Sequence, residues 1–331
     1  MRCIETLACA ALAALLAGTA SAADDSVLDD PQLLEDTPAA WTLTAGGEID
    51  GDGGYLADGS AAFAPNDRTT FSLRAGHSDT SAGADKLTAS SIGLDFDRGF
   101  EHWGVTLSGG YWEDPNLAQT TEVGGSAFVK FGEWRLTALA ESRASDFNSF
   151  TVSGTIDRPN LPPLTVAGDA SCKLDGVGVG ARFSYTSQRW SAYLSGKSYD
   201  YGNFVCRFAS LTVGGVRVSP ERLRTLNPRF LRLLTLRATV AGYVNLREDT
   251  VFLDSSLAAG ISLIRGKRTY ALDYSRARDL FDGLESNTLT ASLSFALSRR
   301  TDLELGVGAF DAEQASAVGF AGVMFIAYFG G

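Results

Sequence analysis

Residues 176–194 read GVGVGARFSYTSQRWSAYL, and their alternation decides the fold. Val177, Val179, Ala181, Phe183 and Tyr185, then Trp190, Ala192 and Leu194 beyond a polar turn, share one face of a strand pair. Gly176, Gly178, Gly180, Arg182, Ser184, Ser191 and Ser195 share the other. A period of two places successive side chains on opposite faces of a β-strand. The same pattern recurs in the hairpin around Arg265-Gly266-Lys267, where Leu257, Ala259, Ile261, Leu263, Tyr270, Leu272 and Tyr274 oppose Ser256, Gly260, Ser262, Asp273 and Ser275. It recurs again around Arg299, where Leu289, Leu293, Phe295, Leu303 and Leu305 oppose Thr290, Ser292, Ser294, Asp302 and Glu304. Each second strand opens on an aromatic: Phe71, Trp103, Trp134, Trp190 and Tyr270 all follow short polar turns. Amphipathic rings held at one height in hairpin after hairpin suit a headgroup boundary, so the pattern predicts strands that cross a bilayer. A two-layer sandwich also alternates, but it has no reason to place aromatics in this way.

Working outward, strands are expected at 41–49, 57–65, 69–77, 87–97, 102–112, 121–131, 134–146, 172–185, 190–201, 251–264, 269–278, 287–297, 301–310 and 317–329. The predicted fold is therefore all-β, a transmembrane antiparallel up-and-down barrel of about fourteen strands. An even number returns both termini to one side. Leu234, Leu236, Ala238, Val240, Val244 and Leu246 also alternate. If they form a strand, parity demands another near 204–214, and the alternative is a barrel of sixteen.

The N-terminus fits export. Arg2 precedes an apolar run from Leu7 to Ala17, and Ala20-Ser21-Ala22 is a small-residue cleavage site, so residues 1–22 are expected to be a signal peptide. Residues 23–40 carry Asp24, Asp25, Asp29, Asp30, Glu35 and Asp36 and are expected to form an acidic periplasmic tail. The barrel then occupies 41–331, interrupted by an Arg-rich insertion at about 202–249. No later segment approaches the length of a membrane helix. The net charge of -11 argues against nucleic acid as a partner.

These features together resemble the Gram-negative outer-membrane β-barrels, porin-like proteins at the level of the class, over nearly the whole exported sequence. The last strand, with Phe325, Ala327 and Phe329 alternating, resembles the terminal signal of such barrels, although Gly330-Gly331 follow the final aromatic. The resemblance implies residence in the outer membrane, contact with outer-membrane lipids and lipopolysaccharide, and insertion by the barrel-assembly machinery.

A barrel of this size must hold either water or a plug, because eight strands already suffice to be filled by their own side chains. Alternation points Arg74, Asp95, Lys130, Arg135, Glu141, Arg143, Arg182, Lys197, Asp254, Asp273 and Glu304 inward, as candidate pore-lining residues. Within 202–249 eight arginines face three acidic residues, and Ser219-Pro220 and Asn227-Pro228 resemble helix starts. Arg222, Arg224, Arg229 and Arg232 are thus candidates for a constriction that would prefer anions. The expectation is a channel for small hydrophilic solutes. The alternative is a non-conducting surface barrel whose loops bind a ligand, lipopolysaccharide or another partner, and a third reading, an outer-membrane hydrolase, lacks a catalytic constellation.

Other motifs carry less. The glycines at 176, 178 and 180 mimic a phosphate loop but lie on alternate positions of a strand, where they leave a wall open to close approach by another piece of backbone. His77-Ser78-Asp79 resembles part of the equipment of barrel phospholipases, yet adjacent residues do not make a relay. No catalytic, cofactor or metal site is expected. In an oxidising compartment Cys172 and Cys206 are expected to form a disulfide. Pairing Tyr185 with Trp190 leaves Cys172 opposite residue 203, three positions short of its partner.

Overall fold

The computed structural model describes residues 41–82, 85–115, 118–158, 161–202, 204–213, 216–217, 225–226, 252–280, 283–313 and 317–329. The strands are β1 (Trp41–Asp50), β2 (Tyr55–Asn66), β3 (Thr69–Ala82), β4 (Asp85–Gly99), β5 (Trp103–Asp114), β6 (Ala118–Phe131), β7 (Trp134–Arg158), β8 (Leu161–Thr186) and β9 (Trp190–Tyr201). There follow β10 (Phe204–Val213), β11 (Val216–Arg217), β12 (Thr225–Leu226), β13 (Leu253–Arg265), β14 (Arg268–Asp279), β15 (Glu285–Ser298), β16 (Thr301–Ala312) and β17 (Val318–Phe329). Each of β1–β9 and β13–β17 pairs antiparallel with its neighbours. The ring closes where Trp41 meets Phe329 on β17, giving a closed barrel of fourteen staves.

The fourteen-strand expectation holds because β9 pairs directly with β13, with Leu194 opposite Ala259 and Trp190 opposite Leu263. A strand does form at 204–213, as the sixteen-strand alternative required. It joins the outer part of β8 instead of entering the ring. The other segment of that alternative, around 234–246, lies outside the described residues.

Two differences from the sequence reading have physical causes. First, β7 and β8 run far past their expected limits at 146 and 172, pairing as far as Arg158 with Leu161. Together with β10 they form a three-stranded extension beyond the barrel. Secondly, the β8–β9 turn pairs Tyr185 with Ala192, not Trp190, because Ser187–Arg189 form the turn and Ser187 N–H donates to the Trp190 carbonyl at 2.9 Å. That moves the register by two positions. The irregularity between β9 and β10 moves it by one more, so that Cys206 lies directly opposite Cys172.

The molecule is polar inside and apolar outside. Leu94, Leu107 and Val123 are 62, 60 and 64 % exposed, while Arg143, Asp114 and Glu141 on the inner wall are 2, 2 and 9 % exposed. An apolar surface that encircles a sheet finds its solvent in lipid. At the end that holds both strand termini, rings meet side by side. Trp41 packs on Phe63 at 4.7 Å between centroids, Trp134 on Phe183 at 4.8 Å, and Tyr185 on Trp190 at 4.4 Å. The predicted aromatic belt is thus a set of contacts, and the turns that carry it include Gly132 and Gly266 in left-handed conformations, φ 64° and 58°.

Candidate functional site in the barrel lumen

Because the strands alternate, every second residue of each stave faces the lumen, and the candidate residues fall into three groups. At the end holding the termini, Lys130 and Arg135 lie over the Phe128 ring, at 5.4 and 3.6 Å from its centroid. Aromatic faces attract cations in this way without neutralising them.

Towards the other mouth, β6–β9 carry a buried ionic cage. Arg143 Nε lies 3.0 Å from Glu122 Oε2, and its Nη2 lies 2.8 Å from Glu141 Oε1. Lys197 Nζ stands 3.7 Å from the other Glu141 oxygen, and the Arg143 guanidinium covers the Tyr199 ring at 4.5 Å. The glycines of β8 explain how the cage fits. A Cβ on Gly178 would strike the Tyr199 ring, and one on Gly176 the Tyr201 ring. The close approach expected there is made by side chains of the neighbouring strand, not by a separate piece of backbone. Beside the cage, Phe252 packs between Phe147, at 5.1 Å, and Trp112, at 6.3 Å. Phe252 precedes β13, so the 202–252 connection ends inside the lumen.

The third group surrounds a cavity of about 560 Å³ at mid-height, lined by Arg74, Arg182, Tyr193, Asp273 and Glu304, with Glu48 and Asp58. Arg74 Nε pairs with Asp95 at 2.9 Å. Glu304 accepts a hydrogen bond from Ser294 at 3.1 Å, and Asp273 accepts one from the Tyr193 hydroxyl at 2.9 Å. Arg182 lies 3.9 Å above the Tyr193 ring. Asp254 stands apart from all three groups. It sits at the bulge that opens β13, 3.8 Å from Arg278.

Several lumen residues escaped the sequence reading. Glu48, Asp58, Asp97 and Glu122 alternate with outward positions on their own strands, so the same alternation could have found them, as it had already turned Asp302 inward beside Glu304. Tyr193 and Tyr199 share the parity of Ser191, Ser195 and Lys197, so alternation already turned them inward; what it could not supply was which side chains their rings meet across the sheet. Arg222, Arg224, Arg229 and Arg232 lie outside the described residues.

His77 is on the outer face, with Nδ1 3.0 Å from Ser90 Oγ and its ring 6.0 Å from that of Tyr55. Ser90 lies in β4, which is paired on both sides. Its neighbouring amides are thus spent on the ladder, and no two converge on Ser90 to hold an oxyanion.

No family model matches the sequence, and no curated protein matches it. Solved structures do. A TodX monoaromatic hydrocarbon channel, a deltaS2 mutant, superposes with a TM-score of 0.50 at 10 % identity, covering 89 % of this chain and 91 % of the other. The chain has the fold of an outer-membrane channel barrel. The CymD monoaromatic hydrocarbon channel gives a TM-score of 0.47 at 10 % identity over 89 and 90 %. A KdgM porin in complex with disordered oligogalacturonate gives 0.41 at 6 % over 87 and 99 %.

Proposed function

We propose that this barrel is a channel in the outer membrane of a Gram-negative bacterium that passes small hydrophilic solutes. The observation that carries the reading is the inner wall. Fourteen staves enclose an inner wall on which charged, hydroxyl and glycine residues predominate around a cavity of about 560 Å³, with Trp112, Phe147 and Phe252 clustered towards one mouth. Around the mid-height cavity a hydrated solute exchanges water for fixed hydrogen-bonding groups, which an apolar one cannot use. The pore-lining set is Arg74, Asp95, Lys130, Arg135, Glu141, Arg143, Arg182, Lys197, Asp273 and Glu304, with Asp254 at the rim. The protein works as a conduit, not as an enzyme. Residues 1–22 direct export and are removed, and the acidic tail at 23–40 and both strand termini face the periplasm. Lipids, lipopolysaccharide and the barrel-assembly machinery are its partners in the membrane.

Cys172 and Cys206 form a disulfide in this reading. Directly opposed residues on antiparallel strands lie about 4.5–5.5 Å apart at Cα, within the range a disulfide spans. Anion preference rests on Arg222, Arg224, Arg229 and Arg232 alone, because the described inner wall is richer in carboxylates than in cations. Deleting 219–234 should therefore raise conductance and weaken any anion preference. Unchanged conductance and selectivity in a folded deletion variant would remove the segment from the pathway.

The burial of Arg143, Glu141 and Phe147 on the inner wall favours a second reading, a non-conducting surface barrel whose loops bind a ligand. Single-channel recording in planar bilayers separates the two: discrete conductance steps support the channel, and a folded barrel that never conducts supports the surface protein.

A further inference from the structure

Arg182, Tyr193, Gly260 and Asp273 form an arrangement that ordinary packing does not call for. Tyr193, Gly260 and Asp273 lie in one row across β9, β13 and β14, with Gly260 directly opposite both of the others. Gly260 has no side chain, and a Cβ there would collide with the Asp273 carboxylate and the Tyr193 ring. Across this gap the Tyr193 hydroxyl reaches Asp273 at 2.9 Å. On the other side of the tyrosine, Arg182 rests on the face of the ring at 3.9 Å. One aromatic side chain thus separates a cation from an anion. It touches both and keeps them from pairing.

Elsewhere on the wall opposite charges do pair: Arg143 with Glu122 and Glu141, and Arg74 with Asp95. Among the described residues Arg182 has no carboxylate within salt-bridge distance, and the hydrogen bond to Asp273 comes from a hydroxyl. Both charges border the same cavity, large enough for a small metabolite, and Glu304 borders it as well. A solute of one sign gains from one pole and is opposed by the other. A dipolar solute gains from both, and a guanidinium offers a carboxylate two parallel donors.

We propose that Arg182 and Asp273 form a mid-lumen binding site for small zwitterions, compounds that carry a carboxylate and an ammonium group as α-amino acids do. The carboxylate docks on Arg182, the ammonium on Asp273, and the Tyr193 ring sets the spacing. The site rests on the channel reading and gives it a substrate class.

The test is swelling of liposomes that contain the purified, folded protein, with L-alanine, its cationic amide L-alaninamide, anionic N-acetyl-L-alanine and uncharged glycerol as solutes. L-alanine should enter several-fold faster than either charged derivative. Arg182→Gln and Asp273→Asn should each remove that advantage, and the exchange variant Arg182→Asp/Asp273→Arg should restore it, because reversing a dipole leaves a dipole. Entry ordered by size or by charge sign alone in the unaltered protein would overturn the inference while leaving the channel intact, and needs no variant to fold. Failure of the exchange variant to restore the advantage, once heat-modifiable migration shows it folded, would also overturn the site. A folded barrel that admits none of the four solutes and shows no conductance would overturn the channel reading itself.

Discussion

Arg143 and Arg74 make the same bond in different surroundings, and the contrast divides the lumen in two. Arg143 is 2 % exposed at its side chain and is held between Glu122 and Glu141 beneath two tyrosines, whereas Arg74 is 51 % exposed and holds Asp95 at the edge of the open cavity. On the β6–β9 wall towards the mouth opposite the termini, charges have been withdrawn from water and must satisfy one another. Around mid-height the wall stays wet, and its charges remain available to whatever passes. The first region behaves as a protein core built of ions, and the second as a binding surface turned inwards.

The largest effect should come from breaking the buried cage. Arg143→Met leaves Glu141 buried without its main counter-charge and should cost about 3–5 kcal/mol of barrel stability, read from urea unfolding in lipid vesicles. A loss under 1 kcal/mol would show that water reaches this wall and that the two regions do not differ. Next comes the outer surface of the same shell. Leu107→Arg sets a charge on the lipid face near mid-height and should cost about 2–4 kcal/mol, while Ser108→Arg, one residue along and facing the lumen, should be far milder. Equal costs would contradict the assignment of inside and outside. The smallest effect belongs to the open region. Arg74→Gln should change stability by no more than about 1 kcal/mol, because a pair this exposed is screened by water and salt. Its readout is ion selectivity, which should shift towards cations as Asp95 loses its partner.

The staves were legible in the sequence and the extension was not, for one reason. Within the bilayer, lipid selects an apolar residue at every second position, which is why Val177, Val179, Ala181 and Phe183 announce β8. Beyond the membrane that selection ends. Residues 147–171 contain Pro159, Pro162 and Pro163 and show no sustained alternation, yet β7 and β8 pair through them as far as Arg158 and Leu161. The candidate site divides in the same way. Arg182 and Asp273 were placed inward by alternation alone. Their relation runs through Tyr193, which meets Asp273 across 80 positions of sequence, and it depends on the register of β9 against β13 and β14.

The direct pairing of β9 with β13 closes the ring of hydrogen bonds without β10, β11 or β12, the described strands of the insertion. The shell is assembled as if the insertion did not exist, and the insertion enters and leaves through adjacent staves. Such a segment is a cassette. Its strand β10 pairs with β8 beyond the ring, so the closed register of the fourteen staves does not depend on the length of the insertion.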